Sequence, residues 1–366
     1  MLLTTQAFPP RSGGIENLMS ALANFASAAG EDVHVFADGD KSAAQYDKEA
    51  NAAYRITRFG GLKPLRRRIK GAAVGKAASG QDYIFADSWK SLEHFPAGLS
   101  MPVIVYAHGN EYPREENGQF AKQARIKKAL SKAGALIAVS HDTAGRAGPF
   151  LPSGLTPIII HPPVEPAAPA SKADIAFAEN LWPETSVRLL ALCRLIEWKG
   201  IDQAIRALAQ LRADGIAAQL VIAGIGGDRA RLGALIDELD LADCVVFAGR
   251  VEAGRKSALF ESADIFVQPG RKVGDQCEGF GITYIEAALH GLPSISGNAG
   301  GAPDATIDGK TGFIVDAAVT QNVTDALRTL ITDEKQRARM GRAARKHGQA
   351  ALWPAQISRI LALKDR

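Results

Sequence analysis

Short apolar runs alternate with stretches of helical periodicity along this chain, and they do so twice, on either side of one proline-rich break. Before the break the runs are residues 2–5, 33–37, 83–86, 103–107, 136–139 and 158–161; after it they are 188–192, 219–223, 245–248, 265–268, 294–296 and 313–315. Between the first two runs Ile15, Leu18, Met19, Leu22 and Ala26 recur at helical spacing, and between 188–192 and 219–223 so do Ile201, Ala204, Ile205, Leu208 and Leu211. Each set forms one apolar stripe on a helix. Strand, amphipathic helix, strand is the pattern of parallel sheets covered by helices on both faces. The break, His161-Pro-Pro-Val-Glu-Pro166, stops any regular element, because proline lacks the backbone donor and restricts its neighbour. A length of 366 residues suits two cores. The expectation is an α/β chain of two doubly wound parallel-sheet domains, 1–162 and 163–349, with a helix over 350–366 packing back on the first.

In open parallel sheets ligands bind beyond the carboxyl ends of the strands, where strand order reverses. Two such domains facing across a cleft would hold a site there, and the residues with distinctive chemistry do follow strands. The strongest segment is Cys277-Glu-Gly-Phe-Gly-Ile-Thr-Tyr-Ile-Glu286. Gly279 and Gly281 let backbone amides approach a ligand as a helix begins, and a helix start favours phosphate or sugar oxygens. Glu278 in the loop and Glu286 in the helix can accept from sugar hydroxyls, one holding a hexosyl group and the other a ribose. Alone, a surface carboxylate beside an ordinary helix start would read the same. Gly13 and Gly14 open the first helix and offer amides to a diphosphate, with a plain tight turn as the other reading. Arg194 can grip two phosphate oxygens and Lys199 supplies a point charge, unless they are a plain surface cation pair. Together they would offset charge on a departing diphosphate. His108 ends the run 103–107, a strand-end position that favours a site histidine over a structural one.

These segments resemble family 4 glycosyltransferases, in the same order and over nearly the whole chain. Glu278 and Glu286 match an E-x7-E signature followed by the strand entry Gly291-Leu-Pro293. Pro9-Pro-Arg-Ser-Gly-Gly-Ile-Glu16 matches the N-terminal glycine loop, His108-Gly-Asn-Glu111 the histidine after a strand, and Arg194-Leu-Ile-Glu-Trp-Lys-Gly200 the Arg-x4-Lys-Gly element. Gly300-Gly-Ala-Pro-Asp304 and Asp308-Gly-Lys-Thr-Gly312 match the C-terminal glycine turns. The resemblance implies the GT-B fold: two Rossmann-like domains facing across a cleft, the first binding acceptor and the second the nucleotide-sugar donor. It implies retaining hexosyl transfer without metal or cofactor, the nucleotide sugar being a substrate that leaves as GDP or UDP.

On that basis the catalytic candidates are His108, Arg194, Lys199 and Glu278. Donor contacts are expected from Gly13, Gly14, Arg194, Lys199, Arg250, Val251, Glu278, Gly279, Phe280, Gly281, Ile282 and Glu286, with residues 247–252 lining the base pocket. Glu16 and Glu111 are expected on the acceptor. GDP-mannose is favoured over UDP-glucose-type donors, because Gly274-Asp-Gln-Cys-Glu-Gly279 resembles mannosyltransferases of the family. A glycan or lipid-linked acceptor in cell-envelope polysaccharide or lipopolysaccharide synthesis is expected. No carboxylate is placed as a nucleophile, which favours a front-face transfer. Two departures stand out: Cys193 where the family commonly has glycine, and Asp304 where glutamate is usual. The rival readings are a nucleotide-sugar epimerase or glycoside phosphorylase on the same architecture, and a catalytically silent nucleotide-sugar-binding protein.

Charge is uneven. Through His161 there are 19 Lys and Arg against 14 Asp and Glu, while the whole chain nets +4. Much of the excess lies in residues 62–70, with Lys76, Arg125, Lys127, Lys128 and Lys132 beyond. Each basic residue near an acidic leaflet is worth about 1 kcal/mol, yet a solvated helix face looks alike. An anionic membrane surface is therefore an expected partner and nucleic acid is not, since no aromatic-basic interleaving accompanies the charge. No apolar run approaches the roughly 18 residues of a membrane span, and the first residues lack signal-peptide character. A cytoplasmic protein, peripheral on the inner face of the plasma membrane, is the expectation. Cys193, Cys244 and Cys277 form no CxxC pair and read as buried thiols. Asp38-Gly-Asp40 imitates a metal-binding DxD, and Gly224-Ile-Gly-Gly227 imitates a dinucleotide fingerprint; both are set aside.

Overall fold

The structure is a computed structural model that describes residues 1–39, 42–50, 52–113, 119–182 and 186–365; Asp40 lies outside the described residues. The chain divides into two compact units, Met1–Glu165 with Leu352–Arg366, and Pro166–Ala351.

The first unit holds β1 (Leu2–Thr5), β2 (His34–Asp38), β3 (Arg55–Phe59), β4 (Ile84–Ala86), β5 (Val103–Ala107), β6 (Ala135–Ala138) and β7 (Ile158–Ile159). They form one parallel sheet in the order β3-β2-β1-β4-β5-β6-β7. Sequence alternation misses β3. Arg55 and Arg58 interrupt its apolar pattern, and at the sheet edge none of its five residues is fully buried. By contrast β1, β4, β5 and β6 are buried throughout, as strands covered on both faces must be. The helix Gly14–Ala28 buries Leu18, Met19, Leu22 and Ala26. The last α-helix of the described residues, Trp353–Leu361, also belongs to this unit: buried Trp353 stacks on Phe25 at 5.5 Å and donates its backbone N–H to the Val164 carbonyl.

The second unit holds β8 (Val187–Leu192), β9 (Ala218–Ala223), β10 (Val245–Gly249), β11 (Ile265–Gln268), β12 (Ser294–Gly297) and β13 (Gly312–Val315). These too are all parallel, in the order β10-β9-β8-β11-β12-β13. The helix Ile201–Ala213 buries the whole stripe Ile201, Ala204, Ile205, Leu208 and Leu211. In each sheet the order reverses once, at β1/β4 and at β8/β11, so successive crossovers leave on opposite faces. All three cysteines are buried free thiols. Among the described residues no helix is long and apolar enough to cross a membrane.

Candidate functional site

Beyond β8 in the second unit the chain bends and is sewn to the end of β9 and the loop after it. Cys193 N–H donates to the Ala223 carbonyl at 3.1 Å and Leu195 N–H to the Ile225 carbonyl at 3.0 Å. Glycines make this approach feasible: a β-carbon on Gly224 or Gly226 would enter the carbonyls of Cys193 and Leu195, and Gly224 has φ +134°. The Gly-Ile-Gly-Gly segment is thus a close-packing surface for the strand beside it. Cys193 and Leu195 turn inward and Arg194 is exposed between them. Burial, the leading cause, pushes the Cys193 thiol up to about 12, so it serves as a packing group.

Lys199 ends a single 3-10 turn, Glu197–Lys199, and Gly200 follows with φ +72°. Gly200 lies so close to the Pro269 carbonyl that no side chain fits. Arg271 fastens the same two loops, donating its N–H to the Trp198 carbonyl at 2.9 Å and its guanidinium to both oxygens of buried Asp202 at 2.7 and 2.8 Å. The loops after β8 and β11 are therefore locked together at the point where strand order reverses.

There Lys199 Nζ donates to Glu278 Oε2, each side chain only 11% exposed. Gln268, the buried last residue of β11, donates Nε2 to the same oxygen at 3.2 Å. Among the described residues this leaves Glu278 Oε1 able to accept another donor. The Trp198 ring centre lies 4.6 Å from Lys199 Nζ and adds a cation–π contact. The backbone of Glu278 is fixed as well: its carbonyl accepts from Gly301 N–H at 2.8 Å and packs on Gly300, φ +68°. Gly281, φ +94°, then opens the helix Ile282–Leu289 under the Tyr284 ring, whose hydroxyl donates to the Gln268 carbonyl.

The structure brings together Lys199, Glu278 and Gly281, with Gly279 and Ile282 half-buried beside them. Phe280 is buried, so it offers its backbone only. Glu286 pairs with Lys256 of the helix Ala253–Ser262 at 2.6 Å. Arg250 is exposed and Val251 half-buried just past β10, an edge strand two places from β8.

In the first unit His108 follows β5. Its Nε2 donates to the Asp87 carbonyl at 2.8 Å, so that nitrogen carries a proton. Its backbone N–H donates to Glu111 Oε1 at 2.7 Å, which gives Glu111 a local bracing task. Buried Asp87, just after β4, accepts from Thr5 Oγ1, Gln6 N–H and Ser91 Oγ at 2.9, 2.7 and 2.6 Å. Glu16 folds its carboxylate back over Gly13 at the start of the helix Gly14–Ala28. Asp87, Lys256, Gln268 and Arg271 escape the motif reading. Asp87 and Gln268 do carry a signal, a polar side chain at the end of an apolar strand, but a weak one.

The sequence profile described as Glycosyltransferase Family 4 matches residues 12–166, and the one described as Glycosyl transferases group 1 matches residues 172–347. The GDP-mannose-dependent alpha-(1-6)-phosphatidylinositol monomannoside mannosyltransferase of Mycolicibacterium smegmatis is 30% identical over 363 residues, spanning 94% of this chain and 92% of that protein. The GDP-mannose-dependent monoacylated alpha-(1-6)-phosphatidylinositol monomannoside mannosyltransferase of Corynebacterium glutamicum is 29% identical, spanning 97% and 94%. Among solved structures, Anabaena HepE in complex with UDP-glucose superposes with a TM-score of 0.78 at 20% identity over 99% of both chains. The fold is GT-B.

Proposed function

We propose a reaction for this chain from one premise: it belongs to glycosyltransferase family 4 and is a glycosyltransferase. The reaction is a retaining transfer of a hexosyl group, mannose from GDP-mannose being the favoured donor, onto a glycan or lipid-linked sugar of cell-envelope polysaccharide or lipopolysaccharide synthesis. The observation that carries this reading is the Lys199–Glu278 pair at the strand reversal of the second unit, beside outward-facing Arg194. For the donor sugar, support comes from the two mannosyltransferase relatives, similar along nine-tenths of the chain.

In this reading the second unit, Pro166–Ala351, binds the donor. Diphosphate oxygens take the Arg194 guanidinium and share the Lys199 ammonium with Glu278. Glu278 Oε1 accepts from a hexose hydroxyl, and Glu286, held by Lys256, from the ribose. Arg250, Val251 and the backbone at residues 279–282 complete the donor contacts. As the bond between the anomeric carbon and phosphate breaks, charge grows on the phosphate, and Arg194 and Lys199 stabilise it. The acceptor oxygen bonds the anomeric carbon from the same face and its proton passes to the leaving phosphate, with neither protein nucleophile, metal nor cofactor. The first unit, Met1–Glu165 with Leu352–Arg366, binds acceptor in this reading. Gly13 and Gly14 are its proposed donor contacts, His108 its proposed catalytic residue, and Glu16 and Glu111 its proposed acceptor contacts.

The test is a transfer assay with GDP-mannose and UDP-glucose against glycolipid acceptors, the product read by proton NMR. An α-linked mannoside from the α-linked donor is expected. A β-linked product would end the retaining assignment, and a trapped mannosyl-enzyme adduct in the mass spectrum would end the front-face route.

A further inference from the structure

Gln268, the last residue of β11, is fully buried although its side chain is polar. Alternation along the strand explains where it points. Ile265 and Val267 enter the core of the second unit, so Phe266 and Gln268 take the other face. There Phe266 meets Tyr284 of the helix Ile282–Leu289 edge-on, with ring centres 5.6 Å apart. A buried amide is destabilising unless both its ends are bonded, which makes its partners informative. The Thr283 hydroxyl donates to Gln268 Oε1 at 3.4 Å, and Gln268 Nε2 donates to Glu278 Oε2 at 3.2 Å. A carboxylate only accepts, so the amide nitrogen must be the end that faces Glu278.

Glu278 Oε2 therefore takes two donors of different kinds. Lys199 brings a charge on a flexible stem, whereas Gln268 is neutral and seated in a strand. The difference matters once a diphosphate arrives. Phosphate oxygens attract the ammonium and loosen its hold on the carboxylate, but they exert no comparable pull on an amide without net charge. The backbone of Glu278 is already fixed through Gly301 N–H at 2.8 Å, so what remains is rotation of the side chain, and the bond to Gln268 limits it.

We propose that Gln268 is a positioning residue: it keeps Glu278 Oε2 turned inward while Lys199 serves the diphosphate, and so presents Glu278 Oε1 to the hexose. It touches no part of the donor. Gln268 thus governs how well the sugar is recognised and leaves recognition of the nucleotide alone. The inference rests on the reading that places the donor hexose at Glu278.

Isothermal titration of the full chain with GDP-mannose and GDP, and with UDP-glucose and UDP, separates the two kinds of recognition. Gln268→Met keeps the length of the side chain and removes the donor. It should weaken the sugar nucleotide about tenfold and the free nucleotide less than about twofold, as loss of one hydrogen bond to a charged group requires. In a Glu278→Ala background the same change should alter sugar-nucleotide affinity less than about twofold, because the carboxylate through which the amide acts is gone. Thr283→Val, at a half-buried position, leaves Gln268 in place and releases only the far end of its amide. It should cut the preference for sugar nucleotide over free nucleotide about threefold, and it carries the test where Gln268→Met fails to fold.

A Gln268→Met chain that loses GDP and GDP-mannose affinity alike would mark a general structural role, and one that binds both as the parent does would mark no role. Either result overturns the proposal, as does a tenfold loss that persists in the Glu278→Ala background. The donor reading fails differently. A parent chain that binds neither sugar nucleotide removes that reading and this proposal together, whereas parental binding that Gln268→Met leaves unchanged removes this proposal alone.

Discussion

Lys199→Met removes the ammonium that Glu278 holds while keeping most of the stem beside Trp198. Breaking one side of a fully buried ion pair costs about 3–5 kcal/mol, because the partner's charge is left without compensation. Two features soften that here: both side chains keep 11% exposure, and Gln268 still donates to Glu278 Oε2 at 3.2 Å. A loss of about 2–3 kcal/mol is expected. Glu278→Gln strands the ammonium instead and should cost about 2 kcal/mol, the Trp198 ring remaining as its only close partner among those described. In the double variant neither charge is left alone. Its cost should fall short of the sum of the singles by a coupling of about 1–2 kcal/mol. Calorimetry on the second unit's transition reads this directly. For a domain of its size Lys199→Met should lower the midpoint by roughly 4–12 °C. Single costs that add in the double variant to within about 0.3 kcal/mol would show that the two groups are uncoupled, and the site geometry would be wrong.

Gly200→Ala should destabilise the second unit by at least about 2 kcal/mol, since φ is +72° and the methyl would enter the Pro269 carbonyl; urea unfolding measures it, and a near-neutral result would contradict the packing. In the first unit Asp38→Ala should cost more than Lys70→Met, about 3–5 against about 2 kcal/mol. The first change strands two cations, whereas the second leaves Asp38 paired with Arg66 at 2.9 Å; equal costs in urea would refute the arrangement. Trp353→Ala, which empties the buried stack on Phe25, should cost about 3–5 kcal/mol in the first unit's transition while leaving the second unit's transition in place.

Much of the fold is legible because its central strands are buried on both faces and read as plain apolar runs. Three runs, 2–5, 103–107 and 265–268, coincide with β1, β5 and β11 to the residue. The edge strand β3 escapes for the opposite reason: Arg55 pairs with Asp32 and Arg58 with Asp47, and edge burial is too slight to impose a pattern. The sequence marks candidate residues but not their wiring. Lys199 and Glu278 are 79 positions apart, and only the adjacency of β8 and β11 brings them together. Glu286 likewise meets Lys256 from 30 positions away, and no local motif marks that lysine. The basic run at 62–70 shows the limit most sharply. Its composition suggests one cationic face, yet Asp38 and Glu93, distant in sequence, draw Arg66, Arg67 and Lys70 inward and leave the apolar residues outside.

The claim at the centre is that Arg194, Lys199 and Glu278 hold a nucleotide-diphosphate sugar. Isothermal titration of GDP-mannose into the parent chain, Arg194→Met and Glu278→Gln tests it directly. One saturable site is expected in the parent, weakened about tenfold or more in each variant, as loss of a charge-assisted hydrogen bond requires. Saturable binding that both variants retain at parental affinity, or no binding of the nucleotide sugar at all, would contradict it.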